Sequence, residues 1–150
     1  MRDKVTAAPH ISPPEKDAKP VRLLLVEDSD ADAYLITSAA RELSYALEIQ
    51  RFVTADRAIA GLEAGLPAPP QGALLDLNLP GGSGLDVLRS IRGNKQTRNL
   101  RVVVMTSSIS IRDREAAELL GVDGYLLKPS DYKLFVDAVG VALRSIFGGG

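Results

Sequence analysis

The chain has 150 residues, 45% hydrophobic and 25% charged, with a formal net charge of −1. That suits one domain with a substantial core. It offers no basic face for nucleic acid and no basic amphipathic helix for a membrane surface. There is no cysteine, and the single histidine is His10, which excludes disulfides, thiolate catalysis, Cys-ligated zinc and histidine acid–base chemistry in the folded body.

Residues 1–20 hold four of the nine prolines and no apolar period, and they read as a flexible N-terminal tail that includes a solvated His10. The opening lacks the apolar core of a signal peptide, and no apolar run is long enough to span a bilayer. The expected compartment is therefore cytoplasmic. Residues 21–26 (VRLLLV) read as a strand covered on both faces. Glu27, Asp28, Ser29 and Asp30 form an acidic turn that caps a helix over 30–43. Leu35, Ile36, Ala39 and Leu43 share one face of it, with Tyr34 and Arg41 pointing elsewhere. Residues 47–53 alternate into a second strand. Thr54 caps a short helix through 64, which Gly65 ends. The proline-rich stretch 66–71 is a loop.

Ala73, Leu74 and Leu75 are too few for a helix and read as a buried strand that reaches Asp76. A Pro80-Gly loop follows. Ser83 with Asp86 matches a capping box for a helix to 91. Residues 93–99 loop back, and 101–105 (RVVVM) form a fourth strand that stops at Thr106, Ser107 and Ser108. Ser110 with Asp113 offers another capping box, for a helix to 120 stopped by Gly121. A fifth strand over 124–127 ends at Lys128 and Pro129. Ser130 or Asp131 starts a last helix to 147, with Tyr132, Phe135, Val136, Val139 and Leu143 on its core face. Residues 148–150 are a tail. The pattern is (βα)5, an α/β fold with a parallel sheet covered on both faces over one domain, 21–147.

Strand ends decide the chemistry. Ligands of open α/β sheets bind beyond the C-terminal edge of the strands. Along that edge lie Glu27 and Asp28, then Asp76, then Thr106 and Ser107, then Lys128. Close carboxylates repel one another unless a cation joins them. An oxygen-only set without His or Cys suits Mg²⁺. Lys128 would neutralise a bound anion, and Thr106 could donate a hydrogen bond to it. Metal, ammonium, hydroxyl and a carboxylate nucleophile are the equipment for phosphoryl transfer to an aspartate.

The motifs Val26-Glu27-Asp28, Leu75-Asp76-Leu77-Asn78-Leu79-Pro80 with Gly84, Met105-Thr106-Ser107 and Tyr125-Leu126-Leu127-Lys128-Pro129 resemble those of two-component response regulator receiver domains over roughly residues 21–147. Within that family the wording is most similar to the single-domain regulators that partner bacterial phytochromes. The resemblance implies a doubly wound, flavodoxin-like fold with strand order 2-1-3-4-5. It implies that Asp76 is the phosphoacceptor, served by a sensor histidine kinase. Asp28 and Asp76 would bind Mg²⁺ directly, Glu27 through water and Asn78 through its backbone carbonyl. Lys128 would pair with Asp76 or its phosphate, Thr106 would move toward the phosphate, and Tyr125 would turn inward. Asn78 and Ser108 occupy positions that tune phosphoryl lifetime in the family. The Lys128–Pro129 bond resembles one that is often cis there. The implied protein is a stand-alone phosphorelay switch, not an enzyme acting on an external substrate, which signals to a downstream protein or phosphotransfer partner. No chromophore site is visible.

A rival reading is an aspartyl-phosphate phosphohydrolase, but the position for its general acid is Asn78, which cannot transfer a proton. A flavodoxin-like flavin binder is a third reading. Leu134, Ala138 and Val141 form a second apolar stripe on the last helix. With Ile109 and Ile111 they suggest a homodimer or partner surface, and Tyr34 is a candidate for kinase docking.

Overall fold

The computed structural model describes residues 19–148. Strand β1 (Lys19–Val26) leads to helix α1 (Asp30–Glu42), β2 (Tyr45–Phe52) and α2 (Ala55–Ala64). Next come β3 (Gly72–Leu75), a small hairpin of β4 (Asn78–Leu79) and β5 (Gly82–Ser83), and α3 (Gly84–Gly93). The chain closes with β6 (Arg101–Thr106), α4 (Ile111–Leu119), β7 (Gly124–Leu127) and α5 (Tyr132–Phe147). The main sheet has five strands in the order β2-β1-β3-β6-β7, all parallel. Counting main-sheet strands alone, this is the expected 2-1-3-4-5 order of a doubly wound, flavodoxin-like fold.

Strand alternation builds two cores. Leu23 and Leu25 of β1, Leu74 of β3, and Val103 and Met105 of β6 face one side. There they meet Ile36, Ala39 and Ala40 of α1 and Phe135, Val139 and Leu143 of α5. Leu24, Val26, Ala73, Leu75, Val102 and Val104 face the other side, against Leu62 of α2 and Val87, Leu88 and Ile91 of α3. Both faces are dry, so the central strands read as unbroken apolar runs rather than as alternation. Register then sets the edge that matters: Val26 pairs with Leu75, and Leu75 with Val104. The next residues along β1 and β3, Glu27 and Asp76, emerge side by side.

Several expectations need correction. Strand β1 begins at Lys19, so the last residues of the expected tail belong to the sheet; residues 1–18, with His10, and 149–150 lie outside the described residues. Strand β2 starts at Tyr45, two residues earlier than its alternation suggested. Leu43 is the C-cap of α1 and is 38% exposed, not part of its core face. Tyr132, at the first turn of α5, is 62% exposed and packs in no core. Ala138 packs against the α1–α5 core, so it leaves the outward stripe. The Ser83 cap accepts from the Leu85 N–H, while the Asp86 carboxylate pairs with Arg89 at 2.8 Å, so the reciprocal capping box is not formed. At α4 half of the box forms: Ser110 Oγ accepts from the Asp113 N–H at 3.2 Å, and the Asp113 carboxylate turns to Ser108 instead. No peptide bond among the described residues is cis, so Lys128–Pro129 is trans.

Candidate functional site

The sheet delivers the acidic residues by ladder bonds. The Glu27 N–H donates to the Phe52 carbonyl at 3.1 Å, and the Asp76 N–H to the Val26 carbonyl at 3.0 Å. Glu27 is 3% exposed and Asp76 4%. Two carboxylates this dry need a cation. Lys128 supplies it. Its N–H donates to the Thr106 carbonyl at 2.8 Å, which fixes the backbone just past β7. Its Nζ lies 2.8 Å from Glu27 Oε1, 2.8 Å from Asp76 Oδ2 and 2.8 Å from Asp32 Oδ2.

The remaining carboxylate oxygens are also engaged. Glu27 Oε2 accepts from the Ser29 N–H at 3.0 Å, and Asp76 Oδ1 accepts from the Asn78 N–H at 3.0 Å. Burial pushes the Glu27 carboxyl above its ordinary range, although the Lys128 hydrogen bond and the Ser29 N–H pull the other way. For Lys128 burial works against the charge. The hydrogen bonds to Asp32, Asp76 and Glu27 outweigh it together, and the ammonium is held well above its usual value.

Glu27, Asp28 and Asp76 each bring a carboxylate oxygen within 4.8 Å of the others. Asp28 is exposed and opens this group to solvent. An all-oxygen set of this size fits a hard divalent cation such as Mg²⁺, which keeps several of its waters.

The other expected site residues line the rim. Thr106 is fully buried, and its Oγ1 accepts from the Ser108 N–H at 3.1 Å. Ser108 Oγ donates to Asp113 at 2.7 Å, which ties the loop after β6 to the first turn of α4. Asn78 Nδ2 donates to Ser107 Oγ at 3.3 Å. The Tyr125 hydroxyl is sealed from solvent with no hydrogen-bond partner, and the Arg114 guanidinium stands 5.4 Å from its ring centre. Burial, then the Asp113 carboxylate, pushes the phenol upward; Arg114 opposes this, as does a Ser108 hydroxyl that is close without meeting bonding geometry.

Asp32 was not anticipated. In the first turn of α1 an acid complements the helix dipole, and that ordinary role hides a second one. The expected surface residues lie apart from the cluster: Ile109, Ile111, Leu134 and Val141 are all exposed, and Tyr34 is on the outside of α1.

A family profile described as the response regulator receiver domain matches residues 23–140. The chain belongs to the response regulator receiver domain family. Among curated relatives, this receiver is 34% identical over 134 residues to the acid tolerance regulatory protein ActR of Sinorhizobium medicae, covering 87% of this chain and 65% of that protein. It is 36% identical over 117 residues to the probable methanogenesis regulatory protein FilR2 of Methanothrix harundinacea, covering 76% of each. Against the first two curated relatives, the chain spans 65% and 55% of their length. Among solved structures, the phosphorylated cyanobacterial phytochrome response regulator RcpA superposes with a TM-score of 0.79 at 27% identity, over 87% of this chain and 96% of that one. The Mn(2+)-bound form of response regulator Rcp1 gives 0.76 at 32% identity, over 85% and 94%. Receivers of this family generally signal rather than turn over a substrate. No helix among the described residues is long and apolar enough to cross a membrane.

Proposed function

We propose that this receiver accepts a phosphoryl group on Asp76 from the phosphohistidine of a sensor kinase, with Mg²⁺ bound by Glu27, Asp28, Asp76 and the Asn78 carbonyl, and signals by protein contact. The observation that carries this reading is the Lys128 ammonium, bonded at 2.8 Å to a buried Asp76 that also belongs to a metal-sized group of carboxylates. A purely structural ion pair would not need the further acids Asp28 and Glu27 beside it.

In the transfer an Asp76 oxygen forms the new O–P bond, the donor's P–N bond breaks, and the electron pair leaves with the imidazole. Bound by these residues, Mg²⁺ would supply positive charge against the carboxylates and the phosphoryl oxygens. Lys128 orients Asp76 beforehand and meets the phosphoryl oxygens afterwards. Thr106 follows toward the phosphate by giving up Ser108, and Tyr125 turns with the loop. The likeness to the phytochrome response regulator RcpA supports a phytochrome-type kinase as the partner. Output runs through the exposed apolar residues around α4 and α5, which suit a second copy of the chain.

Intact mass after incubation with Mg²⁺ and acetyl phosphate tests the reading. One added phosphoryl group is expected on the wild type, absent from Asp76→Asn and absent when Mg²⁺ is chelated. No adduct under rapid quench would count against it. Steady release of free phosphate would favour the phosphohydrolase.

A further inference from the structure

Lys128 is held from a third side by Asp32. We propose that Asp32 is a positioning residue of the phosphoacceptor site, a tether that keeps the lysine ammonium in place while Asp76 changes its charge. The inference rests on the phosphoacceptor reading of Asp76.

An ammonium has three N–H donors and no acceptor. Lys128 Nζ donates to Asp32 and Asp76 and forms an ion pair with Glu27, each oxygen at 2.8 Å. Phosphorylation changes that set. The carboxylate charge of Asp76 is lost from the acyl group, and negative oxygens appear beyond it on phosphorus. The ammonium must pivot from the old oxygen toward the new ones. Held by Glu27 alone, it would swing freely. Held by Glu27 and Asp32 together, it turns about two fixed points and stays within reach.

Four observations suit Asp32 to that task. Its backbone is pinned, because its N–H donates to the capping Ser29 Oγ at 3.1 Å. It stands outside the Glu27, Asp28 and Asp76 group whose oxygens converge, so its role runs through the lysine. Its side chain is 24% exposed, against 3% for Glu27 and 4% for Asp76, so it holds the lysine from the solvent side. It also approaches from a helix, whereas Glu27 and Asp76 come from the sheet edge. Before transfer, Asp32 takes a share of the ammonium that would otherwise bind Asp76 more closely and blunt its nucleophilicity.

The competing account is that Asp32 serves the α1 dipole alone. Phosphorylation by acetyl phosphate at saturating Mg²⁺, followed by intact mass after rapid quench, separates the two. Asp32→Asn should lower the maximal rate about tenfold, with the half-saturating acetyl phosphate concentration within about twofold of wild type. Asp32→Glu should recover part of the loss. In a Lys128→Ala background, Asp32→Asn should have no further effect, because the group it acts through is gone. If that background is too slow to label, the split between maximal rate and half-saturation and the rescue by glutamate decide. Asp32→Ser serves in place of Asp32→Asn should the latter lose its circular dichroism signature. An unchanged rate in Asp32→Asn, or an equal loss with and without Lys128, overturns the tether. An unlabelled wild type overturns the phosphoacceptor reading and the tether with it, whereas a labelled wild type insensitive to Asp32 overturns the tether alone.

Discussion

Tyr125 carries a hydroxyl that is shut off from water and bonded to nothing. A buried polar group in that condition costs about 1–3 kcal/mol relative to one that is satisfied. Tyr125→Phe should therefore raise the unfolding free energy of the unphosphorylated protein by about 1 kcal/mol, read from the urea midpoint at unchanged slope. A loss of stability would show that the hydroxyl has a partner in solution. Glu27 gives a second prediction, about pH. Its folded pKa lies above its ordinary value of 4.5, so the folded state holds that proton more tightly than the unfolded state. The contribution of this group to stability is greatest below 4.5 and is lost as pH rises through the raised folded value. In EDTA, Glu27→Gln should remove that component, and its melting temperature should exceed that of wild type at neutral pH. An equal or lower value would mean that the Lys128 pairing outweighs the burial of the charge.

At the scale of elements, the turn after β3 is the part most exposed to small errors. A Cβ on Gly84 would collide with the Asp76 carbonyl and lie 2.5 Å from the Leu77 Cα, both of them backbone. Gly84→Ala should cost about 2 kcal/mol or more and slow Asp76 labelling, because the backbone that carries the carboxylate must move. Arg92 makes a comparable joint between α3 and the loops that follow. Its guanidinium donates to the carbonyls of Arg98, Leu100, Leu120 and Gly121 at 2.7–3.0 Å. Arg92→Lys should destabilise by about 2–3 kcal/mol in chemical unfolding, since an ammonium lacks the planar fork that reaches four oxygens.

The same elements show what the sequence could and could not convey. Apolar runs ending in Glu27, Asp76, Thr106 and Lys128 were legible, because a strand buried on both faces has no alternative composition. The β4–β5 hairpin was not legible, because strands as short as Asn78–Leu79 have no period to detect. Tyr132 was misplaced because an aromatic residue at core spacing in a first turn can lie beyond the sheet it would cover. Asp32 was missed because its partner is 96 residues away along the chain. No local pattern reports such a distance.

At the scale of the whole molecule, several uncovered apolar residues belong to α4, β7, α5 and the loop before α4. Ile109, Ile111, Leu119, Leu127, Leu134 and Val141 are each at least 45% exposed. If these residues join two copies, Leu134→Glu should shift sedimentation toward the monomer mass while leaving Asp76 labelling intact. An unchanged mass would count against that pairing.

Helices α4 and α5 are also unequal in how firmly they are held. Helix α5 buries Phe135, Val139, Gly140, Ala142, Leu143 and Ile146, whereas α4 buries Ala117 alone across its nine residues. Segments with few buried contacts open at free energies far below global unfolding. The amide protons of α4 should therefore exchange with deuterium well before those of α5, under conditions where the sheet stays protected. Through the bond from Ser108 to Asp113, the least anchored helix of the fold is fastened to the loop that begins at Thr106. A rearrangement beside Asp76 would thus reach α4 through that bond, with Ala117 as the one buried side chain of the helix to resist it.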